Sequence, residues 1–157
     1  MTWRDAPVAG CVIRSLHKFT DRRGWLAEVF RADELPPSVH PVMGYLSLTY
    51  PGIARGPHEH THQTDLFVFF DGGFRLYLWD TRENSPTCGH RYVVDLGCAE
   101  PAAVLVPPGV VHAYRNIGSS DAFILNCPNR LYAGEHRAEP VDEIRYEDRA
   151  DQLFVMD

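Results

Sequence analysis

This sequence predicts an all-β fold, a sandwich or barrel of short antiparallel strands, on three observations. Apolar stretches of strand length recur with Gly or Pro between them roughly every ten residues. Several of these stretches alternate apolar with polar side chains. No segment holds a helical period beyond about two turns.

Taken in order, residues 12–19 form an extended run, and Thr20-Asp21-Arg22-Arg23-Gly24 reads as a turn whose glycine is free to take positive φ. A strand is expected over residues 25–30. Residues 31–35 allow only one helical turn before Pro36-Pro37. The alternation in Tyr45-Leu46-Ser47-Leu48-Thr49-Tyr50 marks a half-buried strand, closed by Pro51-Gly52. Residues 66–70 and 74–79 flank Asp71-Gly72-Gly73 and read as strand, hairpin turn and strand. Further strands are expected over residues 91–96, 102–106, 110–114 and 122–126. The acidic tail from Glu139 to Asp151 is expected to pack as an arm, and residues 153–155 to form a last strand.

With 157 residues and no linker or strong repeat, the chain reads as one domain, residues 1–157, large enough to bury roughly two-thirds of its unfolded surface. Its net charge of -6 is dispersed, which argues against nucleic acid as a partner but leaves room for a pyrophosphate held by a few local arginines. No apolar run reaches the ~18 residues of a membrane span, and the N-terminus lacks a signal-peptide layout. Cys11, Cys88, Cys98 and Cys127 are scattered with no C-x-x-C pair, so reduced thiols and a cytoplasmic location are expected.

Chemistry-bearing residues concentrate in Arg55-Gly56-Pro57-His58-Glu59-His60-Thr61-His62-Gln63-Thr64-Asp65, which runs on to Gly72 as H-x-H-x4-D-x6-G. In an extended segment, His58, His60 and His62 fall on one face, because strand side chains repeat every two residues. Pro107 to Asn116 adds P-x-G-x2-H-x3-N, with His112 at its centre. The pair resembles the signatures of cupin barrels, in which two histidines and an acid from the first motif meet one histidine from the second. That resemblance implies a cupin jelly roll, an antiparallel double sheet with few short helices. It also implies a possible metal set of His58, His60, Asp65 and His112, although Asp65 stands where most metal-binding cupins carry Glu. Zn, Fe, Mn, Ni and Co all suit three imidazoles and a carboxylate. No organic cofactor is expected. Asp65 also fits a turn residue, and His62 is open among ligand, neighbour of the ligands and plain surface.

A narrower resemblance covers about 130 residues in order and approximate spacing. Asp21-Arg22-Arg23-Gly24 with Glu28-Val29-Phe30, Ala54-Arg55-Gly56-Pro57-His58, Asp80-Thr81-Arg82 with Ser85-Pro86-Thr87-Cys88-Gly89, Val106 to His112, and Tyr132, Glu135 and Ile144-Arg145-Tyr146-Glu147-Asp148 look like the dTDP-4-dehydrorhamnose 3,5-epimerase family. The family implies a homodimer exchanging N-terminal strands, here within about residues 1–50, and a nucleotide-diphosphate 4-keto-6-deoxysugar as ligand. It implies proton removal alpha to the ketone by His58, with His112 and Arg55 as further catalytic groups. Arg23, Arg55, Arg82, Tyr114 and Tyr132 are the substrate-binding candidates. Arg23's counterpart reaches the partner subunit's ligand.

The chain also departs from the family. Asp65 falls at or near the catalytic lysine's register, Asn126 or Cys127 stands where the catalytic tyrosine belongs, and the aspartate that orients the base lies near the end of longer members, beyond the expected reach of this chain. Epimerisation needs a base, an oxyanion stabiliser and an acid on the opposite ring face, and the base alone is plainly matched. A divalent ion would replace the missing lysine as Lewis acid. Two other classes stay open: a metal-dependent cupin acting as dioxygenase or sugar-phosphate isomerase, and a non-catalytic nucleotide-sugar binder.

Overall fold

The computed structural model describes residues 2–149 and 153–157. Its strands are β1 (Arg4–Asp5), β2 (Val12–Ser15), β3 (Phe19–Asp21), β4 (Gly24–Leu26), β5 (Tyr45–Thr49), β6 (Ala54–Glu59), β7 (Asp65–Phe69), β8 (Gly73–Asp80), β9 (His90–Gly97), β10 (Ala102–Val106), β11 (Val110–Asn116), β12 (Ala122–Asn126) and β13 (Ile144–Arg145). Three single-turn 3-10 helices complete the described elements. No helix among the described residues is long and apolar enough to cross a membrane.

A six-stranded sheet in the order β1-β9-β8-β11-β6-β13 faces a five-stranded sheet in the order β2-β10-β7-β12-β5, and β3 and β4 form a separate hairpin. All pairings are antiparallel except β1 with β9. The all-β jelly-roll expectation is met.

Period-2 alternation sorts the side chains. On β11, Val110 and Tyr114 join the core between the sheets, while Val111 and Ala113 pack outside against Tyr77, Trp79 and Phe154. The inner core holds Phe67 and Phe69 from one sheet and Phe74, Leu76 and Leu78 from the other. Burying each such side chain contributes about 1.5–3 kcal/mol.

Three expectations are corrected. Asp71-Gly72-Gly73 is not a hairpin turn: β7 pairs with β10 and β12, β8 pairs with β9 and β11, and the chain crosses from one sheet to the other between them. Both strands are apolar on their inner faces, and crossing lets those faces cover each other, with Phe69 and Phe74 ring centroids 5.7 Å apart. Residues 153–155 form no strand; Phe154 instead packs on Trp79, Trp3 and Tyr146. The strand expected over residues 25–30 stops at Leu26, and Val29 and Phe30 turn back onto the outer face of the five-stranded sheet. The acidic arm carries β13 within residues 139–149, and its last two expected residues lie outside those described.

Candidate active site

A cavity of about 790 Å3 is lined by β5, β6, β7 and β11 and by the segment 129–147. Its floor depends on a bulge. From His58 to Arg55 β6 takes three steps while β11 takes two, from His112 to Tyr114. The extra residue is accommodated at Gly56, whose φ is 84° and whose added Cβ would sit 2.6 Å from the His112 carbonyl oxygen. Glycine is required on both counts. The two motifs are joined directly by the Gly109 amide, which donates to the His60 carbonyl at 2.8 Å.

His58, His60 and His112 converge, with ring centroids 4.3 Å apart for His58 and His112, 5.5 Å for His58 and His60, and 5.8 Å for His60 and His112. One ligating nitrogen from each lies within 4.8 Å of the others. Asp65, 1 % exposed, reaches both His60 and His112: its Oδ2 is 3.2 Å from His60 Nε2 and 3.4 Å from His112 Nε2. Asp65 Oδ1 accepts from Gln63 Nε2 and Asn126 Nδ2, each at 2.9 Å.

The row of three histidines is corrected. β6 ends at Glu59, so His62 turns outward and is exposed, and the third imidazole is His112 from β11.

Backbone carbonyls fix the two tautomers. His60 Nδ1 contacts the Asp142 carbonyl, and His112 Nδ1 lies 3.0 Å from the Val110 carbonyl. A carbonyl only accepts, so both Nδ1 atoms carry hydrogen. The two Nε2 atoms then face the same carboxylate oxygen, which is favourable with a second proton on a ring or with a cation between them. His112 Nε2, Asp65 Oδ2 and His58 Nδ1 are buried without a hydrogen-bond partner among the described residues. This donor set fits a divalent ion.

Burial would lower the His60 pKa, but the Asp65 carboxylate and the Asp142 carbonyl outweigh it and raise it. Burial would raise that of Asp65, yet the adjacent imidazoles of His112 and His60 hold it well below the usual carboxylate range. His58 behaves in the opposite way. Burial, with the adjacent His112 and His60, pushes it down to about 2, leaving a neutral ring.

The other candidates divide by position. Arg55 lines the cavity with Nε donating to Thr49 Oγ1 at 3.2 Å and Nη2 to the Leu48 carbonyl at 2.7 Å, which leaves Nη1 for a ligand. Tyr114, buried, and Tyr132, exposed, both line it. Arg82 stands outside the lining: it binds buried Asp80 through Nε and Nη2, at 2.8 and 2.9 Å, and the Ala9 carbonyl at 2.7 Å. Arg23 also lies outside, paired with Asp21 at the β3–β4 turn.

Four contributors escaped the sequence reading because they reach the site through tertiary contacts. Glu143 Oε1 lies 3.9 Å from His58 Nε2. Asp142 accepts from the amides of Thr61, His62 and Gln63 at 2.9, 2.9 and 2.8 Å, holding the bend after β6. Gln63 and Tyr45 both line the cavity. Their only sequence signal is polarity beside the motif for Gln63, an acidic stretch for Asp142 and Glu143, and a strand-end aromatic for Tyr45.

Comparison with known proteins agrees with this architecture. The family model described as dTDP-4-dehydrorhamnose 3,5-epimerase matches residues 5–151. A probable low-salt glycan biosynthesis epimerase, Agl13 of Haloferax volcanii, is 36% identical over 121 residues, 76% of this chain and 78% of the relative. The spore coat polysaccharide biosynthesis protein SpsL of Bacillus subtilis is 36% identical over 125 residues, 80% of this chain and 82% of the relative. Among solved structures, dTDP-6-deoxy-D-glucose-3,5-epimerase RmlC of Legionella pneumophila, in complex with dTDP-4-keto-L-rhamnose, superposes with a TM-score of 0.78 at 22% identity, covering 96% of this chain and 80% of that one. This chain belongs to the dTDP-4-dehydrorhamnose 3,5-epimerase family and is an enzyme of the sugar-epimerase class.

Proposed function

We propose that the enzyme epimerises a nucleotide-linked 4-keto-6-deoxysugar at a carbon next to the ketone, with His58 as the base. The observation that carries this reading is the place of His58 in the lining of a cavity that Arg55 also lines. Burial leaves the free ring neutral, and the negative charge that develops on the bound substrate as the proton leaves is what raises the ring's affinity for it. As the C–H proton moves to His58, the electron pair shifts to the keto oxygen, and the resulting enolate charge offsets the new imidazolium. Glu143 Oε1, 3.9 Å from His58 Nε2, favours that imidazolium by its charge. Arg55, through Nη1, meets the pyrophosphate or the enolate oxygen. Tyr114 and Tyr132 contact the sugar and nucleotide.

The test is hydrogen exchange in deuterated water with a panel of 4-keto nucleotide sugars, beginning with a dTDP-linked one. Deuterium entering at C3 or C5 supports the reading. Binding without exchange at either carbon would leave a nucleotide-sugar binder.

A metal-assisted variant is favoured by one further observation, the two Nε2 atoms that share Asp65 Oδ2. A divalent ion held by His60, Asp65 and His112, with the His58 lone pair kept for the substrate proton, would supply a Lewis-acid charge for the keto oxygen, in place of the family's lysine. Elemental analysis of protein never exposed to chelator tests this: stoichiometric metal lost in His60→Gln and Asp65→Asn supports it, and metal-free active protein rejects it.

Residues 1–157 act in this reading as one cupin domain in a homodimer that exchanges N-terminal strands, with Arg23 serving the second subunit's site. Phe19, Trp25 and Leu26 support it, since all three are exposed on the β3–β4 hairpin. A monomer in sedimentation would reject it. The free cysteines suit the reducing cytoplasm.

A further inference from the structure

Inverting a carbon requires two groups on opposite sides of the ring: one takes the proton, the other returns a proton to the far face. His58 stands on β6 in the six-stranded sheet. The second group should therefore come from the five-stranded sheet across the cavity. On that sheet β12 offers Asn126, which has no acidic proton, but its register partner on the neighbouring strand β5 is Tyr45. Tyr45 lines the same cavity as His58. Asn126 Nδ2 spends one hydrogen on Asp65 Oδ1, at 2.9 Å, and the other on the Tyr45 hydroxyl oxygen, at 2.8 Å. That hydroxyl is thus an acceptor in its own contact, and its hydrogen is left for a ligand.

Resting on the epimerase reading above, we infer that Tyr45 is the proton donor to the ring face opposite His58, a catalytic residue supplied by β5. The sequence of steps balances. His58 removes the proton and the C–H electron pair becomes the enolate; the enolate carbon then takes the Tyr45 hydroxyl proton on its other face and the ketone re-forms. The phenolate left behind is stabilised by the Asn126 amide hydrogen, then regains a proton from solvent, while His58 releases its own. Burial, partly opposed by Asn126, raises the Tyr45 phenol to about 12, so the donor is fully protonated before reaction.

Tyr45→Phe separates the donor from the base. Removing one hydroxyl from a residue that is 45% exposed leaves the core intact. The expected result is inversion slowed on the order of 10²-fold, while deuterium exchange with retention, which needs only His58, continues within a few-fold of the native rate. Tyr45→His, which restores an ionisable donor, should recover part of the inversion. Unchanged inversion in Tyr45→Phe overturns the assignment. So does equal loss of exchange and inversion in a variant that still binds the nucleotide diphosphate. Native protein that exchanges at neither carbon instead overturns the epimerase reading, and this inference with it.

Discussion

Asp142 holds the bend that delivers His60, so its replacement should separate local order from overall packing. The carboxylate accepts three backbone amides, with Oδ1 serving Thr61 and Oδ2 serving both His62 and Gln63. Asp142→Asn keeps one oxygen, which settles where two amides point, and loses the Thr61 bond and the charge. Asp142→Ala loses all three. An intramolecular hydrogen bond contributes about 0.5–1.5 kcal/mol net, more when the acceptor is charged and buried; this site is partly exposed, so about 1 kcal/mol per bond applies. The expected losses are about 1 kcal/mol for Asn and about 3 kcal/mol for Ala. For a chain of this size these correspond to roughly 2–4 °C and 6–12 °C in Tm. Denaturant unfolding of both variants at neutral pH measures them. The pH dependence carries a second check. Burial would raise the Asp142 carboxyl, but the three amides lower it overall. A lowered folded pKa means stability that is present above the ordinary carboxylate value and lost as acid protonates the group. The gap between native protein and Asp142→Ala should therefore close below about pH 4. Asn costing as much as Ala, or a gap unchanged in acid, would refute the assignment of these bonds.

Gly56→Ala should cost about 3 kcal/mol or more, since a Cβ would strain a positive φ and meet the His112 carbonyl at 2.6 Å; calorimetry measures the loss, and activity should fall with it because His58 moves. Asp80→Asn should cost on the order of 1.5–3 kcal/mol, because buried Asp80 accepts from Arg82, Ser85 and Thr87 and its partly exposed partner Arg82 loses its counter-charge. Burial would raise the Asp80 carboxyl, but Arg82, Ser85 and Thr87 hold it below the ordinary range. The Asp80→Asn penalty should therefore be full above about pH 4 and shrink in acid, as urea unfolding across pH will show.

Strand positions were legible because alternation is a local property. Tyr45 to Thr49 on β5 and Ala102 to Val106 on β10 were read within a residue of their observed bounds. The destination of each strand was not legible. Asp71-Gly72-Gly73 has hairpin chemistry, yet the apolar faces of β7 and β8 satisfy each other better across the core than side by side in one sheet. The same limit applies at the site. His58, His60, Asp65 and His112 announce themselves by spacing within two motifs. Asp142 and Glu143 arrive from about eighty residues downstream, and Tyr45 meets Asn126 only through the β5–β12 register. Asp65 stands at or near the register of the family's lysine and Asn126 or Cys127 at that of its tyrosine, and the groups proposed in their place come from other strands.

Proton abstraction by His58 is the claim on which the functional account stands. It is tested most directly by following the C3 and C5 protons of a 4-keto-6-deoxysugar nucleotide by NMR in deuterated water, with native protein and with His58→Asn. The account predicts exchange at one or both carbons by native protein, slowed at least about 10²-fold in the variant. Exchange at the native rate without the imidazole would contradict it.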